Sequence, residues 1–236
     1  MQILWDAFQD KLQNIPKEEH KRFLGLFLRV SALLNLPDIV KRLIEGECGD
    51  GTIPIDVNAV DKNLNTALII AAENAHIEVV RLLLTRADIN VNAQNSNMIT
   101  ALMFACDDGN IEIVKILLQI NDININLIDS EQKSALAWAC DGNHSEVINF
   151  LLQREELHMS QSNIMKVSKF VMNSDININD TKVVIEEAAI KNLPDIARWL
   201  ISTQGYLLRV CSTQGLLSVR VKKTTSSKRL NTLNKK

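Results

Sequence analysis

Three Asp-x-Asn-x-Asn runs place oxygen atoms at the alternating positions from which a calcium-binding loop coordinates its ion. The runs begin at Asp88, Asp122 and Asp175. Only the third has a carboxylate eleven residues on, at Glu186, where such a loop needs its bidentate ligand. That run has Asp180 at the sixth place, which requires glycine, and the other two have Ile99 and Lys133 at the glutamate place. We therefore predict no metal site.

The other side chains that could do chemistry are scattered along the chain. The histidines are His20, His76, His144 and His158. None has partners at a spacing typical of zinc binding or of acid–base catalysis. The chain also lacks a glycine-rich phosphate loop, a GxSxG turn and an HExxH helix. We predict that the protein is not an enzyme and that it has no catalytic residues and no cofactor.

The elements that position these side chains are repeated. The segment at 65–84 recurs 34 residues later at 100–118 and again at 134–152. A fixed period of this length is typical of stacked supersecondary units, each of which buries its apolar face against its neighbours. Function is then expected on extended surfaces rather than in one deep pocket.

These blocks resemble ankyrin repeats, whose pattern is T-P-L-H-x-A-A, then G-H-x-E-V-V-x-L-L-L, then A-D-V-N-A. The first block matches at Thr66, Leu68, Ala71, Ala72, His76, Glu78, Val79, Val80, Leu82, Leu83 and Leu84, and it continues with Ala-Asp-Ile-Asn-Val-Asn-Ala at 87–93. The resemblance implies an all-α ankyrin-repeat solenoid that binds other proteins. We predict about five helix pairs, with degenerate repeats at both ends, as expected of units that cap a stack.

Each clear block departs from the family pattern at three places. The proline is alanine at 67, 101 and 135, and the following histidine is Ile69, Met103 or Ala137. The hairpin glycine is Leu64, Met98 or Gln132. Loss of this glycine alters the expected turn geometry, although the neighbouring Asn63 and Asn97 tolerate a left-handed backbone.

The predicted organisation has three parts. A capping helix at 1–22, ended by Pro16, precedes a repeat domain at 23–201 and a basic tail at 202–236. Within the domain, clear repeats lie at about 61–93, 94–127 and 128–157, degenerate repeats at 23–57 and 180–201, and an irregular insertion at 158–179. Alternation at Leu217, Val219 and Val221 indicates a strand, whereas the Lys, Ser, Thr and Asn residues from 222 onward favour disorder.

Composition points to a cytoplasmic protein. Of the 236 residues, 46% are hydrophobic and 4% aromatic, which suits Ala- and Leu-rich helices packed side by side. The apolar run at 23–34 is too short to span a bilayer, and the acidic start lacks the basic region of a signal peptide. The cysteines show no CxxC spacing, and Cys106 and Cys140 occupy the repeat position of Ala72, so we expect small buried side chains there.

Helical phase predicts a binding groove. With Leu68 and Ala71 on the buried side of the first helix, Ile70 lies about 200° from Leu68 and faces the open, concave side. Its equivalents form an apolar ladder at Val30, Ile70, Phe104, Trp138 and Glu187. Acids follow one turn later. The predicted groove residues are Ile70, Glu73, Asn74, Phe104, Asp107, Asp108, Trp138 and Asp141. The alternative for Trp138 is plain core beneath residues 153–179.

The resemblance also implies that hairpin tips contact a partner. The predicted tip residues are Lys62, Asn63, Asn65, Ser96, Asn97, Ile99, Ser130, Glu131 and Lys133. We therefore predict a monomeric, non-enzymatic module that binds a partner protein with a basic or apolar segment through the groove and the tips.

An alternative function follows from the tail. Residues 202–236 hold eight of the 26 basic residues and none of the 28 acidic ones, which leaves 18 basic against 28 acidic residues in the rest of the chain. Such a tail could bring an ankyrin adaptor or effector to nucleic acid or an anionic membrane. Richness in Asn, Ile and Lys resembles the ankyrin effectors that intracellular bacteria secrete into the host cytosol.

Overall fold

A computed structural model describes residues 2–47, 55–154, 156–158, 160, 163, 165–167, 206–213 and 216–223, the last two segments through their backbone. The chain divides into two compact units, Met1–Val147 and Ile148–Lys236. The predicted degenerate repeat at 180–201, with Glu187, lies outside the described residues, as do Asp175 and most of the insertion at 158–179.

The first unit is built from short helices joined by hairpin loops. Its helices are α1 (Gln2–Gln13), α2 (Lys17–Leu33), α3 (Pro37–Ile44), α4 (Ala67–Glu73), α5 (Ile77–Leu83), α6 (Ala101–Asp107), α7 (Ile111–Leu117) and α8 (Ala135–Asp141). Helix α9 (Ser145–Leu152) begins in this unit and runs into the second. In the second unit, β1 (Tyr206–Thr213) pairs antiparallel with β2 (Leu216–Lys223), Tyr206 opposite Lys223.

The strand predicted around residues 217–221 is confirmed as β2. Its partner β1 was not predicted, and both strands lie within the segment that the sequence indicated as a tail. The physical reason is the composition, because Val and Leu alternate up to residue 221 and the Lys-, Ser- and Thr-rich stretch begins only at residue 222.

Hydroxyl caps start the first helix of each clear repeat. Thr66 Oγ1 accepts a hydrogen bond from the backbone N–H of Ile69 at 3.2 Å. Thr100 and Ser134 do the same for α6 and α8. Such caps stabilise a helix by about 1 kcal/mol, so these helices begin without the proline of the family pattern.

Small side chains let the repeats stack closely. Helices α2, α4, α6 and α8 pack successively in one row, while α3, α5 and α7 form a second row against it. Ala71 and Ala72 are fully buried between neighbours, and Cys106 and Cys140 are buried at the equivalent places, as expected. Burial raises the pKa of the Cys106 thiol, which therefore stays protonated and packs as a small apolar group.

The hairpin turns keep a left-handed residue without glycine. Leu64, Met98 and Gln132 have φ of 60°, 60° and 62°. Asn63 and Asn97, which tolerate this conformation, are not the residues that adopt it. The residue at the glycine place itself turns left-handed, because hydrogen bonds around it fix the loop.

In each hairpin, one side chain accepts those hydrogen bonds. Asp61 Oδ1 accepts from the backbone N–H groups of Asn63 and Asn65, both at 2.8 Å. Although desolvation alone would raise it, the pKa of the Asp61 carboxyl is lowered by hydrogen bonds from Asn65 and Asn63. Asn95 and Asp129 hold the next two turns in the same way.

Neighbouring hairpins are also bonded to one another. The backbone N–H of Ser96 donates to the carbonyl of Asn63 at 2.8 Å, and that of Ser130 donates to the carbonyl of Asn97 at 3.0 Å. The tips of successive repeats are therefore held at one spacing.

Helix α1 covers the start of the stack through aromatic contacts. The rings of Phe8 and Phe27 stack with centroids 3.9 Å apart, and the Arg42 guanidinium lies 4.1 Å from the centroid of Trp5. The predicted capping segment at 1–22 is divided, since α1 ends at Gln13 and α2 begins at Lys17 directly after Pro16. Proline is favoured before or at the first turn of a helix, so it both ends α1 and starts α2.

Candidate protein-binding surface

The predicted ladder residues are partly accessible. Ile70, Phe104 and Trp138 are half-buried, whereas Leu68 and Ala71 on the other side of the same helix are buried. Val30, the ladder residue of α2, is 38% exposed. We call the face that carries Val30, Ile70, Phe104 and Trp138 the ladder face.

Seven of the predicted residues surround one open cavity of about 530 Å³. It is lined by Asn63, Asn65, Glu73, Asn95, Ser96, Asn97, Ile99 and Phe104. Residues of two hairpin tips and of the ladder face therefore meet in one place. The cavity unites the two surfaces that the sequence indicated separately.

Asn95 is the lining residue that sequence reasoning missed. It is 9% exposed, it holds the turn at 95–99, and its Nδ2 donates to Asn65 Oδ1 at 3.1 Å across the repeats. The available signal was its position, 34 residues after Asp61 and 34 before Asp129. A polar residue that recurs at the start of every hairpin is typical of a side chain that bonds the turn.

One repeat further on, the predicted residues contact each other directly. Trp138 Nε1 donates to Asp129 Oδ2 at 3.0 Å, and Lys133 Nζ lies 4.8 Å from the Trp138 ring centroid. Lys133 Nζ also lies 2.9 Å from Glu131 Oε2 and 3.6 Å from Asp141 Oδ2. The hydrogen bond that Lys133 donates to Glu131 is the main reason why the pKa of Lys133 is raised. Trp138 is thus fixed to its own hairpin.

The remaining predicted groove residues differ in exposure and in the hydrogen bonds they already make. Asp108 is exposed, and desolvation together with the charge of Asp107 raises its pKa. Asp107 is half-buried, and its backbone carbonyl accepts from His144 Nε2 at 2.6 Å. The Asn74 side chain donates to the carbonyl of Ile70 at 2.8 Å within its own helix. Asp108 is therefore more accessible to a partner than Asp107, and the exposed Asn74 uses its amide nitrogen within its own helix.

Exposed apolar side chains extend the surface beyond the predicted set. Leu26 and Leu33 on α2 are 48% and 50% exposed and flank Val30. Leu64 and Met98 are 48% and 44% exposed at the hairpin tips, among the exposed predicted residues Lys62, Asn63, Ser96 and Asn97.

The histidines of the second helices serve the stack. His76 Nε2 donates to the carbonyl of Leu33 at 3.1 Å, which parallels the bond from His144 to Asp107. Each histidine therefore ties its repeat to the preceding one. Within the described residues, His, Cys, Asp and Glu side chains do not gather in a group of three that could hold a metal ion.

The Asp-x-Asn-x-Asn runs also act between repeats. Asn58 Oδ1 accepts from the backbone N–H of Asn90 at 2.7 Å, and Asn58 Nδ2 donates to the carbonyl of Asp88 at 2.7 Å. The Asp88 carboxylate binds Arg86. In the run that begins at Asp88, the oxygen atoms that suggested a calcium loop are used in hydrogen bonds and an ion pair.

Comparison with known families agrees with this architecture. A family model described as ankyrin repeats (3 copies) matches residues 26–95 and 87–163, which together cover more than half of the chain. The chain belongs to the ankyrin repeat family, and its repeat region is an all-α ankyrin solenoid. No curated protein matches the sequence. In the described part of the chain, no helix is both long and apolar enough to cross a membrane.

Ankyrin repeats are generally protein–protein interaction modules, and the family is typically non-enzymatic. The repeat class thereby sets the kind of function to expect, while the partner depends on the side chains displayed by this particular chain.

Proposed function

We propose that this protein is a non-enzymatic binding module that holds a partner protein on its ladder face and hairpin tips. The observation that carries the proposal is the cavity at Phe104, because tip residues and ladder residues line it together. A partner segment laid along these hairpins would contact both sets at once.

Apolar anchors would supply most of the affinity. Ile70, Phe104 and Trp138 recur at the same place in successive repeats and keep part of their surface accessible. Trp138 is already held by Asp129, so little side-chain freedom would be lost when a partner covers it. Aromatic residues of this kind are frequent hot spots of protein interfaces.

Acidic residues would select the partner's charge. Glu73, Asp108 and Asp141 are exposed beside the ladder residues. They favour a partner segment that combines apolar and basic side chains, since complementary charge speeds association and disfavours acidic competitors.

The experiment compares three forms of the full chain as bait, with captured proteins quantified by mass spectrometry. The wild type should enrich a partner protein. The double variant Phe104→Ala with Trp138→Ala should capture about tenfold less of that partner, or even less, as expected when anchor residues are truncated. Ile77→Ala with Ile111→Ala is the control, because both residues are half-buried at the starts of α5 and α7 in the second row. Equal enrichment by all three forms would contradict the proposal.

A second variant of the ladder face tests whether loss of binding is caused by loss of folding. Ile70→Ala with Phe104→Ala leaves the bond between Trp138 and Asp129 in place. Circular dichroism of each variant should match the wild type, and this variant should also lose the partner.

A second candidate function is an adaptor or effector whose basic tail contacts nucleic acid or an anionic membrane. It is supported by the charge of segment 202–236, which has eight basic residues and no acidic ones. Removing residues 224–236 should then lower the salt concentration at which the protein elutes from heparin. Unchanged elution would eliminate this candidate.

A further inference from the structure

Two residues that line the cavity beside Phe104 have counterparts one repeat later, where a cation of the chain itself lies over the aromatic ring. Positions 99 and 104 correspond, 34 residues on, to Lys133 and Trp138. There the Lys133 ammonium lies 4.8 Å from the centroid of the Trp138 ring and 3.6 Å from a carboxylate oxygen of Asp141. The contacts of Lys133 therefore show where a cation lies when the position equivalent to Ile99 carries a lysine.

At the cavity the chain provides no such cation. Ile99 stands where Lys133 stands in the next repeat, so Phe104 has no cationic neighbour from its own hairpin. Glu73 is exposed at the end of α4 and lines the cavity. Within the described residues, no lysine or arginine forms an ion pair with it.

Further hydrogen-bond acceptors surround the same space. Asn63 and Asn97 line the cavity with exposed side chains, for which the described part of the chain shows no side-chain hydrogen bond. The amide oxygens of Asn65 and Asn95, in contrast, are engaged in the hairpins. The volume of about 530 Å³ is in the range of pockets that accept small organic groups.

Building on the proposed function, we propose that this cavity is a binding site for an arginine side chain of the partner protein. The guanidinium would lie over Phe104, in the relation that Lys133 has to Trp138, and donate to the Glu73 carboxylate and to the amide oxygens of Asn63 and Asn97. A guanidinium suits this set better than an ammonium ion, because it is planar, stacks on aromatic rings and donates in several directions at once.

The test uses small probes, so that it does not depend on knowing the partner. N-acetyl-L-arginine methylamide is titrated into the ¹⁵N-labelled full chain, and N-acetyl-L-citrulline methylamide serves as the uncharged analogue of the same shape. The arginine probe should shift the amide signals of Ser96, Asn97 and Ile99 with a saturable response. The citrulline probe should bind at least about tenfold more weakly, since it lacks the charge that strengthens these hydrogen bonds.

Matched variants assign the response to the cavity. Glu73→Gln should weaken the arginine probe about threefold, a typical effect for a partly exposed ion pair. Phe104→Leu should weaken it about twofold to fivefold by removing the ring. Glu78→Gln, an exposed acid on α5 in the same repeat, should leave the affinity unchanged.

Equal binding of the two probes, or equal affinity in Glu73→Gln and Glu78→Gln, would overturn the arginine site. If the Phe104 and Trp138 variants nevertheless lose the captured partner, the proposed function stands and this assignment alone fails. If partner capture is unaffected as well, both fail.

Discussion

The indole Nε1 of Trp138 donates a hydrogen bond to Asp129 Oδ2 at 3.0 Å, and this bond joins an accessible aromatic ring to a carboxylate that is 2% exposed. The other oxygen of Asp129 accepts from the backbone N–H groups of Glu131 and Lys133. One buried side chain therefore fixes the hairpin turn and the orientation of the ring.

Replacement of Asp129 by alanine should be strongly destabilising. It leaves three donors without their acceptor, so the free energy of unfolding should fall by about 2–3 kcal/mol. Urea denaturation measures the loss, and the indole N–H signal of Trp138 should move at the same time. Asp122→Ala, at an exposed position, is the control and should change stability by less than about 0.5 kcal/mol.

Glycine at the left-handed hairpin position should stabilise the protein. Met98 has φ of 60° and is 44% exposed, so Met98→Gly relieves backbone strain of about 1 kcal/mol with little loss of packing. The thermal midpoint should rise. Asn97→Gly next to it, where φ is not left-handed, should instead lower stability, and an equal effect of the two changes would contradict this explanation.

The Ser31 hydroxyl should be dispensable for stability. Ser31 is fully buried in α2, and its Oγ has no hydrogen-bond partner among the residues that the structure describes. Ser31→Ala removes this unsatisfied group and adds a better helix former, so the free energy of unfolding should rise by about 1 kcal/mol. Thr100→Ala, which removes the cap of α6, should lower it by about the same amount. Chemical denaturation of the two variants measures the difference between losing an unbonded hydroxyl and losing one that caps a helix.

Stability should depend on pH through Asp61. Because its pKa in the folded protein is lowered, the carboxylate stabilises the fold above its ordinary unfolded pKa, and this contribution is lost as the pH falls through the folded pKa, below about pH 4. Asp61→Asn should flatten that part of the stability profile. Asparagine is tolerated structurally, since Asn95 holds the next hairpin with the same pair of backbone bonds. Denaturation midpoints of both forms across this range measure the difference, and parallel profiles would contradict it.

The sequence predicted the features that depend on periodicity. The helix pairs, the accessible side of Ile70, Phe104 and Trp138, and the buried places of Cys106 and Cys140 all follow from a 34-residue pattern read with helical geometry. Ile99 and Phe104 were assigned to different surfaces, because periodicity alone does not show that they line one cavity. That proximity depends on how a hairpin folds against the helix that follows it.

Local backbone detail was harder to infer. The left-handed conformation of Leu64 conflicts with the preference of a branched side chain, and only the bonds made by Asp61 explain it. The pairing of β1 with β2 was missed for a different reason. Strand β1 carries no clear alternation of apolar and polar residues, so the sequence pattern did not indicate it.

The bonds from Ser96 to Asn63 and from Ser130 to Asn97 have a consequence for how such a protein acquires new ligands. Because these main-chain bonds help to set the distance between adjacent tips, exchange of an exposed side chain such as Ser96 alters a single contact and leaves the neighbouring tips in place. Selectivity can therefore be changed one position at a time, and a ligand whose own contact groups are spaced differently would be rejected whatever their chemistry.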